Sequence, residues 1–194
     1  MDKVYIIHGW RGSPREPMHL WMKNKLEKRN FSVVAPRMPH PENPKIESWV
    51  NKLFEIVDLN DDVYLIGHSI GCQAVLRYIE RINNKVNCVV LIAPWMHLNE
   101  ETIEKEGGEA KEMARPWIET PIDFKKIKSH VKNQIVCLFS DNDKYVPLSN
   151  AEIFKEKLNA KIIIEKNKGH FDKENHITEN KTAVNEILKI KEKN

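Results

Sequence analysis

Six short runs of apolar residues punctuate the chain, at residues 4–7, 32–35, 63–66, 88–93, 135–139 and 160–164. They are rich in Val and Ile and do not alternate with polar residues. That pattern predicts strands buried on both faces of a parallel sheet. Between the runs, apolar positions recur at three and four. Ile46, Trp49, Val50, Leu53, Phe54 and Val57 form one such stripe, and Ala74, Val75, Tyr78, Ile79 and Ile82 another. Weaker stripes contain Met18, Trp21, Met22 and Leu26, then Phe124, Ile127 and Val131, then Ala151, Phe154 and Leu158. Ala183, Val184, Ile187 and Leu188 make the last. Each reads as the core-facing side of an amphipathic helix. Strands alternating with helices predict a doubly wound α/β domain, with helices on both faces of a six-stranded sheet.

One stretch breaks the alternation. Residues 94–121 are acidic, through Glu100, Glu101, Glu104, Glu106, Glu109 and Glu112, and are punctuated by Gly107, Gly108 and Pro116. A connection this long inside a compact domain is either a functional lid or a surface insertion without fixed structure. Trp95, Met96 and Trp117 favour the lid, because large apolar side chains there need something to cover. The length of 194 residues fits one domain over residues 1–194.

Composition narrows the classes. With 31 basic and 28 acidic residues the net charge is +3, spread among mixed signs. That gives no support to a nucleic-acid or membrane partner. No stretch approaches the roughly 20 apolar residues of a membrane span. The N-terminus has neither the length nor the cleavage site of a signal peptide. Cys72, Cys88 and Cys137 are odd in number and match no metal motif, so they read as reduced core residues. A cytoplasmic location is the expectation.

The chemistry gathers in three places. Gly67-His68-Ser69-Ile70-Gly71 is a G-x-S-x-G pattern that follows a predicted strand and opens a predicted helix. A turn that tight exposes Ser69 above the carboxyl end of the sheet, as a nucleophile elbow does. The competing reading, a chance turn with Ser69 capping the helix, does not account for this setting. A serine needs a base. Among eight histidines, His170 lies just after the last strand and completes the chain order Ser, Asp, His. His68 is fixed beside the nucleophile and is directed away from it. Asp141 and Asp143 both follow the fifth strand and either could orient the base; Asp172 reads as loop polarity. An ion-binding loop at Asp141 and Asp143 lacks further ligands. The amide of Ile70 and an amide of the loop His8-Gly9-Trp10-Arg11-Gly12-Ser13-Pro14, that of Trp10, are the expected donors to an oxyanion. That loop lacks the lysine of a phosphate cradle and the spacing of a dinucleotide fingerprint.

Taken together, these residues resemble the family of small serine hydrolases typified by retinoblastoma-binding protein 9, within the α/β-hydrolase superfamily. The resemblance runs from His8-Gly9-Trp10-Arg11-Gly12-Ser13-Pro14 through Ala35-Pro36-Arg37-Met38-Pro39 and Pro41-Glu42-Asn43-Pro44. It continues through the serine motif, Ser140-Asp141-Asn142-Asp143-Lys144-Tyr145-Val146-Pro147 and Gly169-His170-Phe171. It implies a reduced α/β-hydrolase fold with a six-stranded parallel core. It also implies that the acid is the Asp of Asp-x-x-Val-Pro, which selects Asp143 over Asp141. Residues 95–121 look longer and more acidic than the compact connection the family suggests. The expectation is a hydrolase of carboxylic esters or thioesters that needs no cofactor and no metal, with Trp10, Trp95 and Trp117 lining an apolar substrate pocket. Amide or peptide hydrolysis is open to the same residues. Some members of the family are proposed to act by binding proteins, so a protein-binding module with weak activity is the alternative.

Overall fold

A computed structural model describes residues 2–193. Among these residues six strands form one sheet: β1 (Asp2–Ile7), β2 (Ser32–Val34), β3 (Asp62–His68), β4 (Val86–Ile92), β5 (Val131–Ser140) and β6 (Lys161–Glu165). Their order across the sheet is β2-β1-β3-β4-β5-β6, and every pairing is parallel. The predicted strands all form. β4 is buried along its whole length, whereas β6 lies at an edge and leaves Ile164 half exposed. Val131 departs from expectation. The helix before it closes at Ser129, and Val131 opens β5, pairing with Val86.

Among the described residues eight helices surround the sheet: α1 (Pro17–Glu27), α2 (Ile46–Ile56), α3 (Ile70–Arg81), α4 (Glu100–Glu106), α5 (Gly108–Glu119), α6 (Phe124–Ser129), α7 (Ser149–Leu158) and α8 (Lys181–Lys191). α1 packs against α8, while α2, α3, α6 and α7 contact one another in series. The two sets cover opposite faces. Val, Ile and Leu of β1, β3 and β4 are almost wholly buried between them, with Trp49, Tyr78 and Phe154. Burial on that scale contributes roughly 1.5–3 kcal/mol for each large apolar side chain.

The chain leaves β1 toward β2 on one side and returns to β3 on the other. The reversal opens a crevice beyond the carboxyl ends of β1 and β3, where ligands of such sheets bind. The β1–α1 loop and Ser69 stand on either side of it.

Residues 94–121 hold two helices. Asn99 caps α4, its side chain accepting from the Thr102 amide at 3.1 Å. α4 buries none of its side chains, and α5 buries Ala110, Ala114 and Trp117 along one face. Arg77 of α3 holds the end of α5. Its guanidinium donates to the carbonyls of Trp117 and Thr120, both at 2.8 Å, and of Pro121 at 3.3 Å. Those carbonyls have no partner within the helix. Among the described residues no helix is long and apolar enough to cross a membrane.

Candidate active site

Ser69 sits between β3 and α3 with φ 54° and ψ −122°. A side chain in that region costs of order 1–3 kcal/mol, and the surroundings must hold it there. They do so with backbone. The Ser69 amide donates to the Ile92 carbonyl and the Ser69 carbonyl accepts from the Cys72 amide, both at 2.9 Å. Two glycines let this happen. A Cβ at Gly67 would lie 2.8 Å from the Cys72 backbone, and one at Gly71 would collide with the carbonyl oxygens of Ile7 and His8.

His170 lies with Nε2 2.8 Å from Ser69 Oγ and Nδ1 2.8 Å from Asp143 Oδ2. The Asp143 side chain is almost fully buried. Its other oxygen accepts from the amides of Tyr145 at 2.9 Å and Val146 at 3.1 Å. So Ser69, His170 and Asp143, picked from the sequence, come together in one hydrogen-bonded chain. Asp141 does not join them: its Oδ1 accepts from the Asn167 amide at 2.8 Å. Asp172 accepts from Asn175 and shapes its own turn.

Four consecutive side chains, beginning with the last residue of β5, engage four consecutive residues of the histidine loop. Asp141 takes the Asn167 amide, Ser140 Oγ the Lys168 amide at 2.9 Å, Asn142 Oδ1 the Gly169 amide at 2.8 Å, and Asp143 the His170 ring. His68 completes the grip. Its Nε2–H donates to the His170 carbonyl at 2.8 Å, and its ring centroid is 5.3 Å from that of His170. Burial, and after it the His170 ring, hold the His68 pKa well below its ordinary value, so His68 stays neutral.

The β1–α1 loop is fastened from below by His8. Its Nδ1–H donates to the Gly9 carbonyl at 2.8 Å, and its Nε2 accepts the Met38 amide at 3.0 Å. Burial lowers its pKa, and an imidazolium could not accept that amide. The Arg11 amide reaches the Pro41 carbonyl at 2.7 Å, and Trp10 Nε1 the Glu42 carbonyl at 2.8 Å. Sequence reading gave His8 no such role, nor the grip on the His170 carbonyl to His68. Both act on backbone far away in the chain, which leaves no local pattern.

A cavity of about 350 Å³ opens onto Ser69 and His170. Its apolar lining comes from Trp10, Ile70, Trp95, Leu98, Ile103 and Met113; Asp172, Lys173 and Glu174 line it from the histidine loop. Trp117, expected in the pocket, does not line it. It is fully buried against Trp49, its ring centroid 6.2 Å from Trp49's, and its Nε1 donates to the Pro44 carbonyl. Met113, one turn earlier on the same side of α5, lines the cavity instead.

The parallel six-stranded sheet with the serine at the β3–α3 turn defines an α/β-hydrolase. The serine hydrolase family model matches residues 4–186, and the chain belongs to that family. It is similar to YdeN of Bacillus subtilis strain 168, 26% identical over 172 residues that span 87% of this chain and 85% of YdeN. The crystal structure of that product superposes with a TM-score of 0.85, covering 99% of this chain and all of the other. The serine hydrolase RBBP9 of Rattus norvegicus is 25% identical over 165 residues, 84% of this chain and 78% of its own. A carboxylesterase structure from the thaumarchaeon Nitrososphaera gargenis, 14% identical, shares the fold with a TM-score of 0.75 over all of this chain and 92% of that one.

Proposed function

We propose that this serine hydrolase cleaves carboxylic esters or thioesters of small molecules through Ser69, His170 and Asp143. The reading rests on the two 2.8 Å contacts that link Ser69 Oγ, the His170 ring and Asp143 at the mouth of an apolar cavity. Ser69 Oγ attacks the acyl carbon and its proton passes to His170 Nε2. Asp143 accepts the Nδ1–H and stabilises the imidazolium. The carbonyl oxygen, now negative, takes donors from the amides of Ile70 and Trp10. Ile70 is suited to this as the first residue of α3, whose leading amides have no intrahelical acceptor. In the β1–α1 loop the Arg11 and Gly12 amides are already engaged, which favours that of Trp10. Collapse expels the alcohol or thiol with the proton from His170, and water then releases the acid by the same steps in reverse.

In this reading residues 94–121 form the lid, and the acyl chain lies against Trp95, Leu98, Ile103 and Met113. An apolar surface of that extent favours short to medium acyl groups. The test is intact mass after fluorophosphonate treatment, on the wild type and on Ser69→Ala, followed by an ester and thioester panel. A single adduct on the wild type, absent from the variant, is expected. No adduct on folded wild type overturns the reading and turns attention to a protein-binding role.

A further inference from the structure

Beside the serine, three side chains meet that the reaction does not use. Glu16 precedes α1, His19 lies in its first turn, and His68 ends β3. One donor atom from each lies within 4.8 Å of the other two. His19 and His68 are buried, with 1% and 4% of their surface exposed.

The hydrogen bonds fix both tautomers. His19 Nδ1 lies 3.1 Å from the Ser13 carbonyl and must carry the proton there. His68 Nε2 must likewise carry a proton to reach the His170 carbonyl. Each ring therefore presents a bare lone pair, on His19 Nε2 and on His68 Nδ1. Neither nitrogen has a hydrogen-bond partner among the described residues. A buried acceptor left unmet costs about 1–3 kcal/mol, so two side by side call for an occupant. Burial also lowers both pKa values, which keeps the lone pairs available. An imidazole whose second nitrogen donates to a backbone carbonyl is the form in which histidine binds metal.

Glu16 adds a carboxylate. Its Oε1 accepts the Ser13 amide at 2.9 Å, and its Oε2 lies 3.7 Å from His19 Nδ1, on the protonated side of that ring. Two imidazole nitrogens and one carboxylate suit Zn2+ and the neighbouring divalent transition metals, at ligand distances of about 2.0–2.2 Å. Donors about 2.1 Å from a tetrahedral ion lie about 3.4 Å apart, so the 4.8 Å span must contract by roughly an ångström, which the Glu16 side chain can supply by turning about its own bonds. Glu16 and His68 both line the cavity, which supplies a path of entry.

We propose that Glu16, His19 and His68 form a binding site for a divalent transition-metal ion of the Zn2+ class, and that its occupancy inhibits the hydrolase. Binding stands on the donor set alone; the inhibition rests on the function proposed above. A dication on His68 Nδ1 places positive charge on the ring next to His170. It disfavours the imidazolium that His170 becomes when it takes the serine proton.

The experiment titrates chelator-treated protein with Zn2+ by calorimetry and with Co2+ by visible ligand-field absorption. Wild type, Glu16→Gln, His19→Gln and His170→Ala are compared. Glu16→Gln keeps an acceptor for the Ser13 amide and so guards against a result caused by misfolding. One ion per chain is expected. Affinity should fall about 10-fold or more in the first two variants and hold in His170→Ala, which excludes the His170–Asp143 pair as the ligand. Fluorophosphonate labelling of the wild type should slow about 10-fold or more under saturating Zn2+, and Glu16→Gln should resist. Absence of stoichiometric binding, or binding that survives both Glu16→Gln and His19→Gln, overturns the site and leaves the two nitrogens to buried water. Binding without any phosphonate labelling, with or without the ion, upholds the site and refutes the hydrolase reading instead.

Discussion

Replacing Asp143 by Asn changes one atom, and the hydrogen bonds around it dictate the consequence. Oδ1 of Asp143 accepts two backbone amides, from Tyr145 and Val146. In Asp143→Asn those donors still demand an oxygen, so the amide oxygen takes that place. The NH2 group is then forced toward His170 Nδ1, 2.8 Å away. An NH2 group needs an acceptor, so Nδ1 loses its proton and Nε2 gains it. The Nε2–H then faces Ser69 Oγ, and the ring can no longer take the serine proton. A wrong tautomer of this kind costs about 10⁴-fold in turnover in a serine protease with the same arrangement. The same size of effect is expected here, about 5.4 kcal/mol of barrier. The assay is kcat and KM on the best ester of the panel, with the rate of phosphonate labelling as a check. Thermal unfolding should shift by under about 2 °C, since the charge change leaves the packing alone. A loss below 10-fold in a folded variant would refute the reasoning, because it would mean that Asp143 does not set the tautomer.

Three further outcomes are expected. Arg77→Met removes the guanidinium that caps α5 and leaves three carbonyls without a donor; it should cost about 3 kcal/mol and lower Tm by about 6–12 °C in a thermal melt. Gly71→Ala drives a methyl into the β1 backbone and should cost about 3 kcal/mol, whereas Gly108→Ala, with nothing within 4 Å, should stabilise by about 0.5 kcal/mol; the same melts measure both. His8 is held neutral in the fold, its pKa below the ordinary 6.5. The unfolded chain then binds the extra proton as pH falls below 6.5, so this contribution to stability is present above 6.5 and is lost on acidification. Urea titrations between about pH 7 and pH 5.5 should show His8→Gln with a shallower pH slope, by up to about 1.4 kcal/mol per pH unit.

The strands and their parallel pairing were legible because buried parallel strands leave unbroken apolar runs. The two helices of residues 94–121 were not. α4 buries nothing, so it carries no stripe; its Asn99 cap and its Glu and Lys residues hold it as a helix instead. In α5 the stripe is Ala110, Ala114 and Trp117, two of them too small to stand out among the glycines and Pro116. Trp117 was misjudged for a related reason. A tryptophan in an irregular-looking segment reads as lining the pocket that segment covers, yet helical spacing with Ala110 and Ala114 sends it into the core. Ser69, His170 and the aspartates after β5 were legible from their places at strand ends. The separate tasks of Ser140, Asp141 and Asn142 were not, because each depends on which amide of residues 167–169 lies opposite.

The way the site is held bears on how a substrate would enter. α4 is fixed to the loop that carries Asp143: the Asn99 amide donates to the Tyr145 carbonyl at 2.8 Å, and Thr102 Oγ1 to the Lys144 carbonyl at 2.7 Å. Tyr145 in turn packs edge-on to His170, with ring centroids 5.1 Å apart. α5 is fixed at its far end by Arg77. If residues 94–121 act as a lid, neither helix can swing as a free flap without breaking several hydrogen bonds, each worth roughly 0.5–1.5 kcal/mol. The joint between them is different. Gly107 and Gly108 have no neighbour that a side chain would meet. The ion pair beside it, Arg11 with Glu109, is more than half exposed and contributes under about 1 kcal/mol. Arg11 and Glu106 also line the cavity. The least costly way in therefore lies at the tip of the two helices, where opening breaks the hydrogen bond from Tyr145 Oη to Glu106 at 2.7 Å but leaves in place the amide bonds that hold Asp143.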